Sequence, residues 1–110
     1  MATTTFSGPV VSLNGFIAGA GATITKILSN SATLDFTSIA IAGQGDLTIA
    51  VPGAAVGNAV ALALPAAPAA GLTFNAFVSA TDVVTVRASN TSGSAVDAGP
   101  ATYGVIVFGV

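Results

Sequence analysis

The sequence predicts an all-β fold: a β-sandwich or jelly-roll-like domain of about seven or eight short strands, preceded by an irregular N-terminal arm. Apolar residues recur with a period of two along most of the 110-residue chain, which is the spacing of residues on one face of a strand. Turn-forming Gly, Pro, Asn and Ser separate these runs. No stretch shows the sustained period of about 3.6 residues that is typical of an amphipathic helix.

Residues 1–21 are expected to form the arm, and residues 22–110 the β-sandwich domain. The arm mixes Thr and Gly with Pro9 and the isolated aromatics Phe6 and Phe16, and it lacks a clean alternation of apolar and polar residues. It also lacks the basic residues that begin a secretory signal. We expect the arm to dock on a partner through Phe6, Pro9 and Phe16.

The first strands are expected between residues 23 and 51. Residues 23–28 alternate Thr with Ile, Lys and Leu, and the Ser-Asn-Ser run at 29–31 predicts a turn. Residues 32–42 then fit one long strand or two short ones. A turn at residues 43–46 is expected to lead into a strand with Leu47, Ile49 and Val51 on one face.

The later strands alternate more clearly. Residues 59–64 place Val60, Leu62 and Leu64 opposite three alanines, and the small alanine face suits close approach of a second layer or subunit. Strands at 72–79 and 83–90 predict a hairpin around a Thr-Asp turn. After a polar loop at 90–100, the last strand is expected at 102–108, with Tyr103 and alternate valines on one face.

Charged residues are unusually rare. They make up 5% of the chain, and the net charge is −2, whereas about 25% of an ordinary soluble domain is charged. Little like-charge repulsion keeps copies apart, so the composition predicts self-association.

Lys26 and Arg87 are the two cationic side chains, too few to neutralise several phosphates, so no nucleic-acid partner is expected. Pro and Gly interrupt the charge-free residues 47–81, so no membrane span is expected either.

The side chains available argue against an enzyme. The chain contains no His, Cys or Glu, which excludes Ser-His-Asp and Cys-His catalysis and removes the usual zinc ligands. We expect no cofactor and no metal. Asp46, Asp82 and Asp97 lie in predicted turns, and turn formation is their simplest role. A small hydrolase built on these carboxylates is kept as a minor alternative.

Arg87, Phe77 and Tyr103 are the candidates for a subunit interface. Arg87 is the sole Arg, and it can pair with an Asp across neighbouring strands or across a subunit boundary, or remain solvated. Phe77 and Tyr103, like the aromatics of the arm, can stack on a sugar, although packing in a core or an interface is the commoner use of such residues.

Two parts of the chain resemble proteins of tailed bacteriophages. Residues 3–10 (TTTFSGPV) and 14–16 (NGF) resemble the start of small phage structural proteins, and residues 74–80, 84–90 and 92–97 are similar to a β-sandwich module of phage virion proteins. The resemblance implies a non-enzymatic capsid decoration (cement) protein at the virion surface. It also implies a homotrimer whose arms reach onto the major capsid protein or another virion protein. No functional residue is carried over.

The main alternative is a tail-fibre or spike-tip module that binds a host-surface glycan through residues 90–100 and exposed aromatics. A cement protein is expected to bind capsids and protect them from heat. A receptor binder is expected to bind cells or glycans and to leave capsid stability unchanged.

Overall fold

The computed structural model describes residues 3–110, and within them the chain forms six β-strands and no helix. The strands are β1 (Lys26–Phe36), β2 (Gln44–Ala50), β3 (Ala59–Ala63), β4 (Leu72–Ala80), β5 (Val83–Asn90) and β6 (Gly99–Gly109). The all-β prediction is confirmed, but the strands number six and not seven or eight. In this part of the chain no helix is long and apolar enough to span a membrane.

The strands form two antiparallel sheets, consistent with a β-sandwich. The first sheet has the order β1-β6-β3 and the second the order β2-β5-β4. β1 and β6 pair along their full length, with Lys26 opposite Gly109 and Phe36 opposite Gly99. The strand at the centre of each sheet therefore contributes alternate residues to the core and to an outer face.

The core lies between the inner faces of the two sheets. It contains Leu34, Phe36, Ile39, Ile49, Val51, Ala54, Val78, Val84, Val86, Ala88, Tyr103, Val105 and Val107. At one end Phe36 meets Phe74 edge-on, with 5.9 Å between ring centroids. Because branched and aromatic side chains from both sheets interdigitate here, burial of this layer is the main stabilising contribution to the fold.

The hairpin predicted around the Thr-Asp turn is confirmed as β4 and β5. Asp82 occupies the turn with φ of 65°, a left-handed conformation that Asp tolerates better than most residues. Its carboxylate accepts a hydrogen bond from the N–H of Gly53 at 2.7 Å, and its own N–H donates to the carbonyl of Ala54 at 2.9 Å. Asp82 thus forms the turn and ties it to the loop that follows β2.

The turn predicted at residues 29–31 is wrong, because β1 runs straight through them. Ser29 and Ser31 lie on the exposed outer face, where a hydroxyl needs no protein partner. Asn30 lies at the sandwich edge, and its side-chain amide donates to the carbonyl of Ala50 at 2.6 Å. Turn propensity is overridden because all three residues pair with β6 along a continuous strand.

The prediction for residues 37–46 is also wrong in its boundaries. Residues 37–43 form a loop held by an isolated bridge between Ile39 and Val96, and Ile39 is buried whereas Ile41 is exposed. β2 already begins at Gln44 and includes Asp46, which was predicted to lie in a turn. The turn lies earlier, where the N–H of Gly43 donates to the carbonyl of Ala40 at 2.9 Å.

Candidate interaction surfaces

The predicted docking arm is largely exposed, although its first two residues lie outside the described part of the chain. Phe6 is 66% exposed, Phe16 is 50% exposed and Pro9 is also exposed. Other apolar side chains of the arm are exposed with them: Val10, Val11, Leu13 and Ile17. Since the first charged residue of the chain is Lys26, the arm offers partners a neutral apolar surface.

The base of the arm is fastened to the sandwich by main-chain hydrogen bonds. Phe16 and Ile24 form an isolated antiparallel bridge, with N–H to carbonyl distances of 3.0 and 2.8 Å. The N–H of Thr25 donates to the carbonyl of Gly109 at 2.8 Å. The predicted docking residues therefore separate into Phe16 at the base, beside the end of β6, and Phe6 and Pro9 farther along the arm.

The overall dimensions agree with an arm that extends away from the sandwich. The radius of gyration is 17.3 Å, whereas about 13 Å is expected of a compact chain of this length. The molecule is 56 Å long, and an eleven-residue strand such as β1 spans about 36 Å.

Arg87 and Phe77, two of the predicted interface residues, lie together on the outer face of the second sheet. Arg87 stands opposite Asp46 on β2 and Asn75 on β4. Its guanidinium donates from Nε and Nη2 to the two carboxylate oxygens of Asp46, at 2.8 and 2.9 Å. The guanidinium carbon also lies 5.1 Å from the centre of the Phe77 ring, within the range of a cation–π contact.

The bidentate contact changes the titration of both partners. The hydrogen bond from Arg87 lowers the pKa of Asp46, and the same bond raises the pKa of Arg87. Because the pair is partly exposed, solvent screening keeps its contribution to stability small. Of the alternatives predicted for Arg87, the structure shows pairing with an Asp across neighbouring strands.

Tyr103, the third predicted interface residue, is a core residue. It is 1% exposed, and its ring lies 5.6 Å from those of both Phe36 and Phe74. Burial raises the pKa of its phenol. The alternation of β6 explains the position, since Tyr103 shares the inward face with Val105 and Val107. Tyr103 is therefore unavailable to a contact between folded subunits.

The loop predicted at residues 90–100, the glycan-binding segment of the alternative function, occupies residues 91–98 between β5 and β6 and is closed by a buried amide. Asn90 is 3% exposed, and its Nδ2 donates to the carbonyls of Ile39 and Ser94 at 2.9 and 2.8 Å. Its Oδ1 accepts from the N–H and the hydroxyl of Ser92, at 2.9 and 2.7 Å. All four hydrogen-bonding positions of the Asn90 amide are used to hold the loop against the core.

The carboxylates do not converge on a catalytic or metal site. Asp46 pairs with Arg87, Asp82 accepts from Gly53, and Asp97 accepts from the N–H of Gly99 at 3.0 Å in a local turn. Among residues 3–110 no group of three or more His, Cys, Asp or Glu side chains is placed to hold a metal ion. The geometry thus offers no support for Asp-based hydrolysis.

Sequence analysis missed a groove on the outer face of the first sheet. The groove has a volume of about 540 Å³ and is lined by residues from all three strands, including Ser31, Ala63, Gly104 and Ile106. Of its described lining residues, none is charged. The alternation of residues 102–108 could have revealed it: if Tyr103 and Val105 face the core, then Gly104 and Ile106 both face outward on the opposite side of the sheet.

Comparison with protein-family models, with curated proteins and with solved structures found no match to this chain.

Proposed function

We propose that this chain is a non-enzymatic virion structural protein, a capsid decoration protein that self-associates and docks on the shell through its N-terminal arm. The observation that supports the proposal most strongly is the arm itself. It displays Phe6, Val10, Leu13 and other apolar side chains to solvent and contains no charge. Such a surface is unfavourable in water and becomes favourable once a partner covers it.

The mechanism is physical rather than chemical. Each docked arm removes apolar area from water, at about 25 cal/mol per Å². Linking several arms in one oligomer makes the later docking events intramolecular, so modest contacts add to a large avidity. Repetition over a symmetric shell then stabilises the particle against opening. This role requires no catalytic group, and three of the four Asp carboxylates are used in two turns and one ion pair.

Glycan binding receives less support from the described surfaces. Residues 91–98 are closed by the Asn90 hydrogen bonds. The exposed ring of Phe77 is already in contact with the Arg87 guanidinium, so stacking a sugar on it competes with that contact.

Binding to shells tests the proposed function. The purified chain is mixed with empty shells assembled from the major capsid protein encoded in the same genome, and binding is measured by co-sedimentation and by the temperature at which shells open. We expect wild type to bind and to raise that temperature. Phe6→Ala should weaken binding by about tenfold or more, the usual effect of truncating an aromatic that is central to an interface.

Ile41→Ala is the matched control. Ile41 is 61% exposed, close to the value for Phe6, but it lies in the loop before β2. Both variants should unfold at the wild-type temperature, because neither side chain belongs to the core. Equal shell binding by the two variants contradicts docking through the arm. Failure of wild type to bind shells, combined with binding to host cells or a glycan array, favours the receptor-binding alternative.

A further inference from the structure

The arm contains the only Asn-Gly pair of the sequence, Asn14-Gly15. Asn14 is exposed and belongs to a turn, and Gly15 follows it in the left-handed conformation with φ of 82°. The Ser12 hydroxyl donates to the carbonyl of Gly15 within this turn. The next residue, Phe16, forms the bridge to Ile24 that fastens the arm to the sandwich. A change in the turn therefore acts directly on the base of the arm.

An Asn side chain that precedes Gly can react with its own backbone. The amide nitrogen of the following residue attacks the side-chain carbonyl carbon, Cγ, and the new N–Cγ bond closes a succinimide ring. The Cγ–Nδ2 bond breaks, and Nδ2 leaves as ammonia with the proton that the attacking amide has lost. Water then opens the ring. Attack at Cγ gives Asp, whereas attack at the backbone carbonyl gives isoaspartate, in which the main chain runs through Cγ. Water is thus the co-reactant.

Three features of the turn favour this reaction at Asn14. Gly15 has no Cβ, so nothing on the following residue obstructs the attacking nitrogen. The Gly15 N–H donates to no acceptor among residues 3–110, so no backbone hydrogen bond holds its proton. The turn also lies outside the six strands, so ring closure does not require a pair of strands to separate.

The other asparagines of the chain lack these features. Each is followed by Ser, Ala or Thr, whose Cβ shields the attacking nitrogen. Asn30 and Asn90 donate their side-chain amides to backbone carbonyls, and Asn58 accepts from a backbone N–H. Asn75 is exposed like Asn14, but it lies in β4, whose backbone pairs with β5. Asn75 therefore serves as an internal reference for an exposed asparagine in a strand.

Both products alter the surface that the arm offers to a partner. No charged side chain precedes Lys26 in the sequence, and either product places a carboxylate beside Leu13, which is 89% exposed. A carboxylate that an apolar partner covers loses its hydration, and this loss opposes docking. Isoaspartate also lengthens the main chain by one CH₂ group. A Cβ at Gly15 would collide with the carbonyl oxygen of Ile24, so the turn has little room for the longer backbone.

We propose that Asn14 is a site of spontaneous deamidation, and that its conversion to Asp or isoaspartate weakens docking of the arm. The reaction itself needs no partner, whereas its effect on docking rests on the proposed function. A partner that covers the turn restricts its motion and excludes water, so docked arms react more slowly than free arms. The modification thus limits how long a free chain remains able to dock.

Incubation of the purified chain alone tests the reaction. Trypsin cleaves after Lys26, so Asn14 is the only asparagine of the first peptide. Mass spectrometry should show conversion of that amide to a carboxyl, with ammonia released in equal amount, whereas Asn75 should remain unchanged. The reaction should be faster at mildly alkaline pH than at neutral pH, because the attacking nitrogen must lose its proton. Asn14→Gln keeps a neutral amide, but its longer side chain disfavours ring closure, so this variant should release no ammonia.

Shell binding before and after the same incubation tests the consequence. Fresh wild type and fresh Asn14→Gln should bind alike. Incubated wild type should lose binding in proportion to its deamidated fraction, whereas incubated Asn14→Gln should not. Asn14→Asp carries the charge from the start and should bind roughly tenfold more weakly than wild type, because a carboxylate is covered at an apolar contact. Its Tm should equal that of wild type, since Asn14 lies outside the core. Wild type that is incubated on shells should deamidate more slowly than wild type alone.

Deamidation of Asn14 that is no faster than that of Asn75 overturns the modification site. Deamidated wild type that binds shells as tightly as fresh wild type overturns the effect on docking, as does Asn14→Asp with wild-type binding. If Asn14 deamidates but fresh wild type does not bind shells, the modification site stands, whereas the decoration function and the effect on docking both fail.

Discussion

Replacing Asn90 by Asp tests whether the buried amide holds the loop at residues 91–98 against the core. The two side chains have the same shape, so the change converts one NH₂ donor into a carboxylate oxygen and leaves packing intact. That atom lies 2.9 Å from the carbonyl of Ile39 and 2.8 Å from that of Ser94. Two attractive contacts become oxygen–oxygen repulsions, whereas the two hydrogen bonds accepted from Ser92 remain.

The magnitude follows from those contacts. The Ile39 carbonyl keeps the hydrogen bond from the N–H of Val96 at 3.0 Å, so losing the Asn90 donor costs about 1 kcal/mol, the net value of one hydrogen bond. Ser94 is exposed, so water can replace the hydrogen bond that its carbonyl loses, at a cost of at most about 1 kcal/mol. With the cost of burying a charge, Asn90→Asp should destabilise the chain by about 3 kcal/mol. That corresponds to a fall of roughly 10–15 °C in Tm for a domain of this size.

Thermal unfolding followed by circular dichroism, at fixed protein concentration, measures the effect. Asn58→Asp is the control: it adds the same charge, but Oδ1 of Asn58 accepts from the N–H of Ala55 at 3.0 Å, and a carboxylate keeps that bond. Burial raises the pKa of the introduced carboxyl above its unfolded value. Stability is then lost as the pH rises through the raised value, so the Asn90→Asp deficit should shrink near pH 4. Equal Tm values for the two variants at neutral pH refute the reasoning.

Two further predictions concern titration. The chain has one Tyr and no Trp, so tyrosinate absorbance follows Tyr103 alone. Burial raises the pKa of Tyr103, and its ionisation should therefore require a higher pH in the folded chain than in urea. The folded state should lose stability as the pH rises through the raised pKa. An unchanged midpoint in urea contradicts the buried position. The hydrogen bond from Arg87 lowers the pKa of Asp46. The ion pair therefore contributes fully to the stability of the fold above the ordinary aspartate range near pH 4, and this contribution is lost as the pH falls through the lowered pKa. Denaturant unfolding of wild type and Asp46→Asn should therefore differ at neutral pH and converge in acid; a constant difference down to the lowest pH contradicts the ion pair.

Local features of the fold could be predicted from the sequence. The β4–β5 hairpin pairs residues that are close in the chain, and its two-residue turn contains Asp82, which tolerates the left-handed conformation. The alternation in β6 likewise indicated its buried face. Each of these features depends on neighbouring residues alone, so period and turn propensity sufficed.

The non-local features could not be predicted in the same way. β1 pairs with β6 across more than half the chain, so nothing in either segment specifies the other. The residues Ser29 and Ser31 favour a turn on their own and remain in a strand because β6 pairs with them. The sequence left open whether Arg87 pairs with an Asp across neighbouring strands or across a subunit boundary, because only the β2–β5 register brings Asp46 opposite it.

The position of the arm restricts how an oligomer can dock. Thr25, at the base of the arm, bonds to Gly109, so the arm leaves from the end of the first sheet at which β1 begins and β6 ends. Packing copies about an axis parallel to β6 gathers the arms at the same end, where they reach one surface together and gain effective concentration. A twofold axis perpendicular to β6 sends the arms to opposite ends and loses that gain. Multivalent docking on one surface thus favours the arrangement in which β6 runs in the same direction in every copy.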